Sequence, residues 1–362
     1  MKTRHASDPV AAVCVPAKNE AALLPGLIQS VCRAFRDGER RMEGSLVIAL
    51  DGCTDGSADV VDYWRAEVSM PIVTVELPPH TKPNAGRVRK AAMDRAAALY
   101  PGRDLTLLTT DADTQVDPSW IRNTLSLVGR GADVVCGDVW REDEHAAGER
   151  IRHEAFFHAV HRFRRKIDPI RGDAADPHPK HYGASIAFRR SVYQAIGGCP
   201  SVPNDEDVTM VRAARLAGFS IRQDRSVRVV TSVRRSGRAR HGLADSLILE
   251  DACTREGRLV PVIDPVRQVR HSIRTAALRR AFAARDRQEA MRLGVHGPAD
   301  LTQLLDAWTD APTADAFVTR VFPEPKWPSE IRLDVGERRL AQMKAQYGRR
   351  QPVRSDALEI AS

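Results

Sequence analysis

Two carboxylates one residue apart, Asp111 and Asp113, follow the apolar run Leu105-Thr106-Leu107-Leu108-Thr109-Thr110. Oxygens at that spacing suit a hard divalent cation such as Mg²⁺ or Mn²⁺, which in turn grips the phosphates of a nucleotide. An Asp-x-Asp pair is also an ordinary solvated turn, so its chemistry depends on what else reaches the same place. Two further polar groups follow apolar runs, Pro16-Ala17-Lys18-Asn19-Glu20 and Asp51-Gly52-Cys53-Thr54-Asp55-Gly56-Ser57. In a shared cleft Asp51 can accept from a base N–H and Glu20 can hold a ribose hydroxyl. Farther on, Asn204-Asp205-Glu206-Asp207 places four polar residues at a helix entrance, where capping and the macrodipole explain them in part.

The elements that must position these groups are legible from periodicity. Apolar runs ending at Pro16, Leu50, Leu77 and Thr110 predict four strands. Between them, Leu23, Leu24, Leu27, Ile28 and Val31 space a helix over Ala21 to Phe35, and Ala58 to Ala66 forms a second, capped by Asp55 or Ser57. A third runs from Asn84-Ala85-Gly86-Arg87 to Tyr100, and Asp117-Pro118 marks a turn with Asp117 capping a helix through Trp120-Ile121. Strands alternating with helices predict an α/β fold, a mostly parallel central sheet flanked by helices on both faces. In such sheets ligands bind at the carboxyl ends of the strands, which is where the polar groups fall. No Gly-x-x-x-x-Gly-Lys-Ser/Thr and no Gly-x-Gly-x-x-Gly follows the first strand, which disfavours a P-loop NTPase or a Rossmann dehydrogenase.

The 362 residues predict one large domain plus an extension. A hydrophobic content of 43% can fill a sizeable core, and the mean hydropathy of −0.36 fits a soluble chain. No apolar run approaches the roughly 20 residues that span a bilayer, and the start, Met1 to Pro9, lacks a secretory apolar region. Six scattered cysteines without a Cys-x-x-Cys pair predict a reducing, cytoplasmic setting. The net charge of +8 comes from arginine, since only eight of the 55 basic residues are lysine. No nucleic-acid-binding motif accompanies it, and a basic cleft for phosphate-bearing substrates needs only a few of these arginines.

Val15-Pro16-Ala17-Lys18-Asn19-Glu20, Leu50 to Ser57, Asn84-Ala85-Gly86-Arg87 and Asp111-Ala112-Asp113, in this order and spacing, resemble family 2 glycosyltransferases with the GT-A fold. The resemblance covers Val10 to Arg240. It implies a nucleotide-diphosphate sugar as donor, Mg²⁺ or Mn²⁺ on the Asp-x-Asp pair, and transfer of the sugar to a hydroxyl acceptor. Pro16, Ala17, Glu20 and Asp51 would contact base and ribose, with Asn84 and Arg87 beside the donor. Arg87 stands where the family often has lysine and can still neutralise a phosphate. Asp113 would touch the metal directly, and Asp111 would face the ribose or a metal-bound water. The small residues Gly183, Ala184 and Ser185 would line the donor sugar. Asp207 would be the general base of an inverting member, with Glu206 and Asp205 as reserves. Arg234 and Arg238 suit a leaving diphosphate or an anionic acceptor, a solvated basic loop being the alternative. His241 would complete the metal shell, with His178 or His181 behind it.

Several readings stay open at this level. A helix over Arg150 to Arg165 carries His153, His158 and His161, read first as packing and surface residues and less readily as a metal pair. The Pro-broken segment Ile167 to His181 is either a lid or simply disordered. Residues 1–242 read as the catalytic domain and 243–362 as a helical extension, with helices at Leu243 to Leu249, Val266 to Arg285, Asp286 to Leu293, Leu301 to Trp308, Ala314 to Val321 and Glu330 to Tyr347. The basic face of Val266 to Arg285 can lie on an anionic membrane surface, dock on the catalytic domain, or join a homodimer. Two alternatives to inverting transfer remain: a retaining enzyme whose Asp168 to His181 loop holds an anionic acceptor, and a catalytically silent nucleotide-sugar-binding protein.

Overall fold

The computed structural model describes residues 9–37, 42–79, 84–142, 148–170, 172, 174, 176–178, 183–235, 243–258 and 260–350. Strand β1 (Val10–Ala17) is apolar at nearly every position and uses both of its faces. Ala11, Val13 and Val15 enter one hydrophobic cluster, and Val10, Ala12 and Cys14 enter another. That two-sided burial marks the centre of a sheet covered by helices above and below. The chain continues through α1 (Leu24–Arg36), β2 (Gly44–Asp51), α2 (Ser57–Glu67), β3 (Ile72–Leu77), α3 (Ala85–Leu99) and β4 (Leu105–Thr109). It then forms β5 (Thr114–Val116), α4 (Trp120–Gly129), β6 (Val134–Arg141) and α5 (Gly148–Ile167). A 3₁₀ turn, Gly183–Ser185, leads into β7 (Ile186–Arg189), α6 (Arg190–Ala195), α7 (Glu206–Leu216) and β8 (Ile221–Thr231).

The sheet order is β3-β2-β1-β4-β7-β6-β8-β5. The first four strands in sequence pair in parallel, as the alternation of strands and helices predicts. In the second half β6 and β8 again pair in parallel, and only the two short strands β5 and β7 run the other way. β7 runs antiparallel to both β4 and β6, and β5 runs antiparallel to β8, so the sheet is mixed. Helices α1, α2 and α4 bury their apolar stripes on one face, and α3, α6 and α7 on the other. The predicted caps also shift. Asp117 Oδ1 accepts from Ser119 N and Oγ at 2.9 and 2.7 Å, so it makes a local turn, and Ser119 is the N-cap of α4. Gly56, with φ +82°, holds the N-cap position of α2.

Beyond residue 242 come α8 (Leu243–Arg255), β9 (Val262–Ile263), α9 (Pro265–Ala283), α10 (Arg287–Gly294), α11 (Leu301–Asp310), α12 (Ala314–Val321), β10 (Ser329–Ile331) and α13 (Leu333–Arg350). The helix expected from Glu330 starts later because residues 329–331 pair with β9 as a short antiparallel strand. A second core forms here, with Phe282 stacked on Phe317 at 4.9 Å and Trp308 edge-on to both. Burying such a ring contributes about 1.5–3 kcal/mol. Helix α9 packs on α5, α10, α12 and α13, and α12 packs on α7, so the basic helix docks on protein while Arg267, Arg270 and Arg274 stay exposed. The segment read as a lid begins inside this interface. Ile167 ends α5, and buried Asp168 accepts from Thr275 Oγ1 and Arg279, the latter also held by Asp315. His178 is buried too, its Nε2 at 2.9 Å from the Cys136 carbonyl. Among the described residues no helix is long and apolar enough to cross a membrane.

One close approach governs how α3 enters the fold. Ala85 N and Gly86 N donate to the carbonyls of Pro203 and Val202, and a Cβ on Gly86 would come within 2.2 Å of the Pro200 carbonyl oxygen. Both neighbours are backbone and cannot swing away. The Gly86→Ala variant is therefore expected to lose about 1–3 kcal/mol of stability, measured by urea denaturation, and an unchanged midpoint would contradict this packing.

Candidate active site

The loops after β1 and β2 are sewn to each other. Asn19, in the left-handed region at φ +51°, accepts at Oδ1 from Thr54 N at 2.8 Å. Glu20 N donates to buried Ser57 Oγ at 2.9 Å, and Ala21 N to Asp55 Oδ2 at 2.9 Å. Ala17 is buried and Pro16 half-buried at the end of β1. These bonds hold the Glu20 carboxylate at the mouth of the sheet edge, where both of its oxygens accept from Arg234 at 2.6 and 2.7 Å. Asp51, at the end of β2, is buried and faces Arg87 and, at 3.1 Å, Lys18. Arg87 also donates to the Pro78 carbonyl at 3.2 Å, and Asn84 Oδ1 caps α3 by accepting from Arg87 N. Asp51, Arg87 and Asn84 thus form one connected group, with Arg87 bearing on Asp51.

After β4 the chain turns tightly, Thr114 N donating to Asp111 O at 3.1 Å. Asp111 Oδ1 accepts from Arg89 at 2.9 Å, and Asp113 Oδ2 lies 3.1 Å from Arg234. Burial and the neighbouring Asp111 push the Asp113 carboxyl up to about 6, with Arg234 opposing and Glu20 adding to the rise. A carboxylate so crowded by negative charge is a site that a divalent cation would relieve, and an all-oxygen donor set suits Mg²⁺ or Mn²⁺. Among the described residues no three His, Cys, Asp or Glu side chains converge on one point. Asp113 and Asp111 are the described carboxylates that could hold such an ion, and Mg²⁺ sites that also bind phosphate commonly use one or two. His158 faces Arg225 and Glu154, and His178 the Cys136 carbonyl. His241, His181 and Arg238 lie outside the described residues.

The residue that joins the site together is one that the sequence motifs do not flag. Arg89 is buried, and its guanidinium donates through Nε to Glu206 at 2.9 Å, to Asp111, to Thr109 Oγ1 and to the Gly183 carbonyl at 3.2 Å. Burial alone would lower its proton affinity, but Asp111, Glu206 and Asp207 overcome this and hold it charged. A signal was present in the sequence, since Arg89 shares a helical face with Ala92, Met93 and Ala96, all buried. A charge at i, i+3, i+4, i+7 to apolar residues is a misfit unless paired.

The downstream acids divide their work. Asp205, exposed and at φ +61°, meets Lys326 at 3.2 Å. Glu206 is buried and given over to Arg89. Asp207 accepts at Oδ2 from Gly183 N at 2.6 Å and at Oδ1 from Val208 N at 2.7 Å. Burial raises its pKa, against the pull of Arg89 and with a push from Glu206. Gly183 needs to be glycine, because a Cβ there would sit 2.6 Å from the Arg89 guanidinium. Ala184 and Ser185 are buried, and Ser185 Oγ accepts from Trp120 Nε1 at 3.0 Å, so these two pack inward. Removing the hub strands Glu206 as an unpaired buried charge. Arg89→Met is expected to cost about 3–5 kcal/mol, with part of the loss recovered in the Arg89→Met/Glu206→Gln double variant. A denaturation curve for Arg89→Met that overlays the parent would refute the pairing.

The sequence profile of glycosyl transferase family 2 matches residues 12–197, just over half of the chain. No curated protein sequence matches it. Among solved structures, TarS residues 1–349 from S. aureus, in complex with UDP-GlcNAc, is 13% identical over 86% of this chain and 90% of its own, with a TM-score of 0.48. The mannosyltransferase PcManGT from Pyrobaculum calidifontis, in complex with GDP-Man and Mn²⁺, is 17% identical over 87% and 88%, also at 0.48. Glucosyl-3-phosphoglycerate synthase from Mycobacterium tuberculosis, with Mn²⁺, UDP and phosphoglyceric acid, is 16% identical over 72% and 82%, at 0.42. With the matched span running from β1 through β7 and carrying Glu20, Asp51, Asp111 and Asp113 at the sheet edge, the chain belongs to glycosyltransferase family 2 and is an α/β glycosyltransferase of the GT-A type.

Proposed function

We propose that residues 1–242 form the catalytic domain of a cytoplasmic, metal-dependent enzyme that moves a sugar from a nucleotide-diphosphate donor to a hydroxyl acceptor with inversion. The observation that carries this reading is the Arg89 guanidinium, which bonds Asp111 and Glu206 at once and so joins the Asp-x-Asp turn to the acidic entrance of α7. A Mg²⁺ or Mn²⁺ ion on Asp113, with Asp111 behind it, would supply charge neutralisation for the departing diphosphate. Glu20 and Asp51 are the acceptors for ribose and base, after exchanging their present partners Arg234, Arg87 and Lys18 for the ligand. Arg234, released from Glu20, then has donors free for the diphosphate.

Asp207 is the base in this scheme. The acceptor oxygen attacks the anomeric carbon, the bond from that carbon to the diphosphate oxygen breaks, and the hydroxyl proton passes to Asp207. The Gly183 and Val208 N–H groups orient its carboxylate, and its raised pKa favours proton uptake. Two backbone donors on one carboxylate also suit a purely structural acid, which is what the retaining alternative requires.

Thermal-shift measurement with a panel of nucleoside diphosphates and nucleotide sugars, with and without Mn²⁺, tests the donor site. A matched pair should raise stability by about 2.7 kcal/mol at a ligand concentration of 100 Kd, and Asp113→Asn should abolish the part that needs metal. If no nucleotide gives a metal-dependent shift, the reading is wrong. Asp207→Asn should keep that shift while slowing transfer by roughly 10²–10⁴-fold. Transfer at the parental rate, or a product whose anomeric configuration is retained by NMR, would remove Asp207 from the base role.

A further inference from the structure

At the amino ends of β6 and β8, on the sheet edge opposite Asp113, the turns entering these strands meet the end of α9 and the start of α12 around a cavity of about 970 Å³. That volume matches sites for small organic molecules. Its walls include the apolar side chains Leu127, Phe219 and Phe282, together with Arg130, Arg280 and Arg285. The acids nearby are already engaged by protein groups. Asp133 accepts from Ser220 N and Oγ at 2.9 and 2.8 Å, and Asp315 from Arg279 Nε at 2.6 Å. Arg222, also in the wall, is matched by Asp224 at 3.0 Å. Among the described residues Arg130, Arg280 and Arg285 have no acidic partner, which leaves a positive excess around an apolar floor.

Arg285 carries a second mark. Its φ of +58° lies in the left-handed region that normally favours glycine just past a helix end. An arginine nonetheless occupies it, lying over the Phe282 ring at 5.2 Å. A side chain kept at a position that disfavours it points to use.

We propose that this cavity binds an organic polyanion, a phosphate- or carboxylate-bearing molecule with a ring or hydrocarbon portion. The three arginines take the anionic groups through charge-assisted hydrogen bonds, and the half-buried Phe219 with the arginine stems packs the apolar portion. The ligand is distinct from the sugar donor. Ser220 and Ser232, whose N–H meets Asp113 O, lie beyond the two ends of β8, which bulges between Asp224 and Arg228 and so runs beside only the eight residues of β6, a span of roughly 25 Å.

Calorimetric titration of the full chain with phenyl phosphate and with inorganic phosphate, in EDTA, tests the proposal. Phenyl phosphate should bind more tightly than phosphate, because only it fills the apolar floor. Arg280→Gln and Arg285→Gly should each weaken it by about tenfold, and Asp113→Asn should leave it unchanged. Arg285→Gly relieves the left-handed backbone, so its thermal midpoint should not fall, and lost binding in that variant cannot be ascribed to unfolding. No binding at millimolar phenyl phosphate would overturn the inference. So would binding that survives both arginine substitutions, or binding that disappears in Asp113→Asn.

Discussion

The buried guanidinium of Arg89 is the constraint on which the rest of the cleft depends. Taking a permanently charged group out of water costs several kcal/mol, repaid only where geometry and hydrogen bonding are complete. Here Asp111 and Glu206 supply the charge, and Thr109 Oγ1 and the Gly183 carbonyl take further donors. Meeting that demand fixes the distance between α3, the end of β4, the 3₁₀ turn before β7 and the first turn of α7. It also explains a glycine at 183, since the guanidinium and the Asp207 carboxylate fill the space that a Cβ would need.

Outside this buried hub lies a looser layer of ion pairs. Arg234 spans Glu20 and Asp113, and Arg87 with Lys18 faces Asp51. The side chains of Arg234, Lys18 and Arg87 are 31%, 30% and 24% exposed, against 5% for Arg89. Exposed cations on long stems pair weakly and exchange partners readily, whereas the buried one is held. The contrast separates a buried scaffold from partly exposed cations whose pairing is weaker. It also keeps Glu20 and Asp51 balanced before any ligand arrives.

The helical part adds its own ionic joint. Asp168 and Arg279, packed between α5 and α9 and continued by Asp315, tie the start of the segment after α5 to α9 and α12. The same packing, at the amino ends of β6 and β8, leaves the arginine-lined cavity. The two edges of one sheet thus differ electrostatically: the carboxylates at the carboxyl ends of β1, β2 and β4 are paired with Lys18, Arg87, Arg89 and Arg234, whereas arginines without an acidic partner among the described residues stand at the amino ends of β6 and β8.

The sequence by itself determined the parallel half of the sheet and the edge on which Glu20, Asp51 and Asp113 gather, because strand alternation, helical spacing and Gly/Asp turns act over a few residues. The run Ile186 to Arg189 reads as a strand, but its antiparallel direction, like the short β5, escaped that reading, since strand direction depends on partners far along the chain. The division of labour among the acids was likewise decided only by tertiary structure. Glu206 and Asp207 are neighbours of the same type, yet one is spent on an arginine 117 residues away while the other meets the Gly183 N–H. Arg234 reaches Glu20 across 214 residues, and no local pattern encodes such a pairing. Which charges are buried, and with what partner, follows from how the layers stack, because desolvation is a property of the packed molecule and of no single stretch of it.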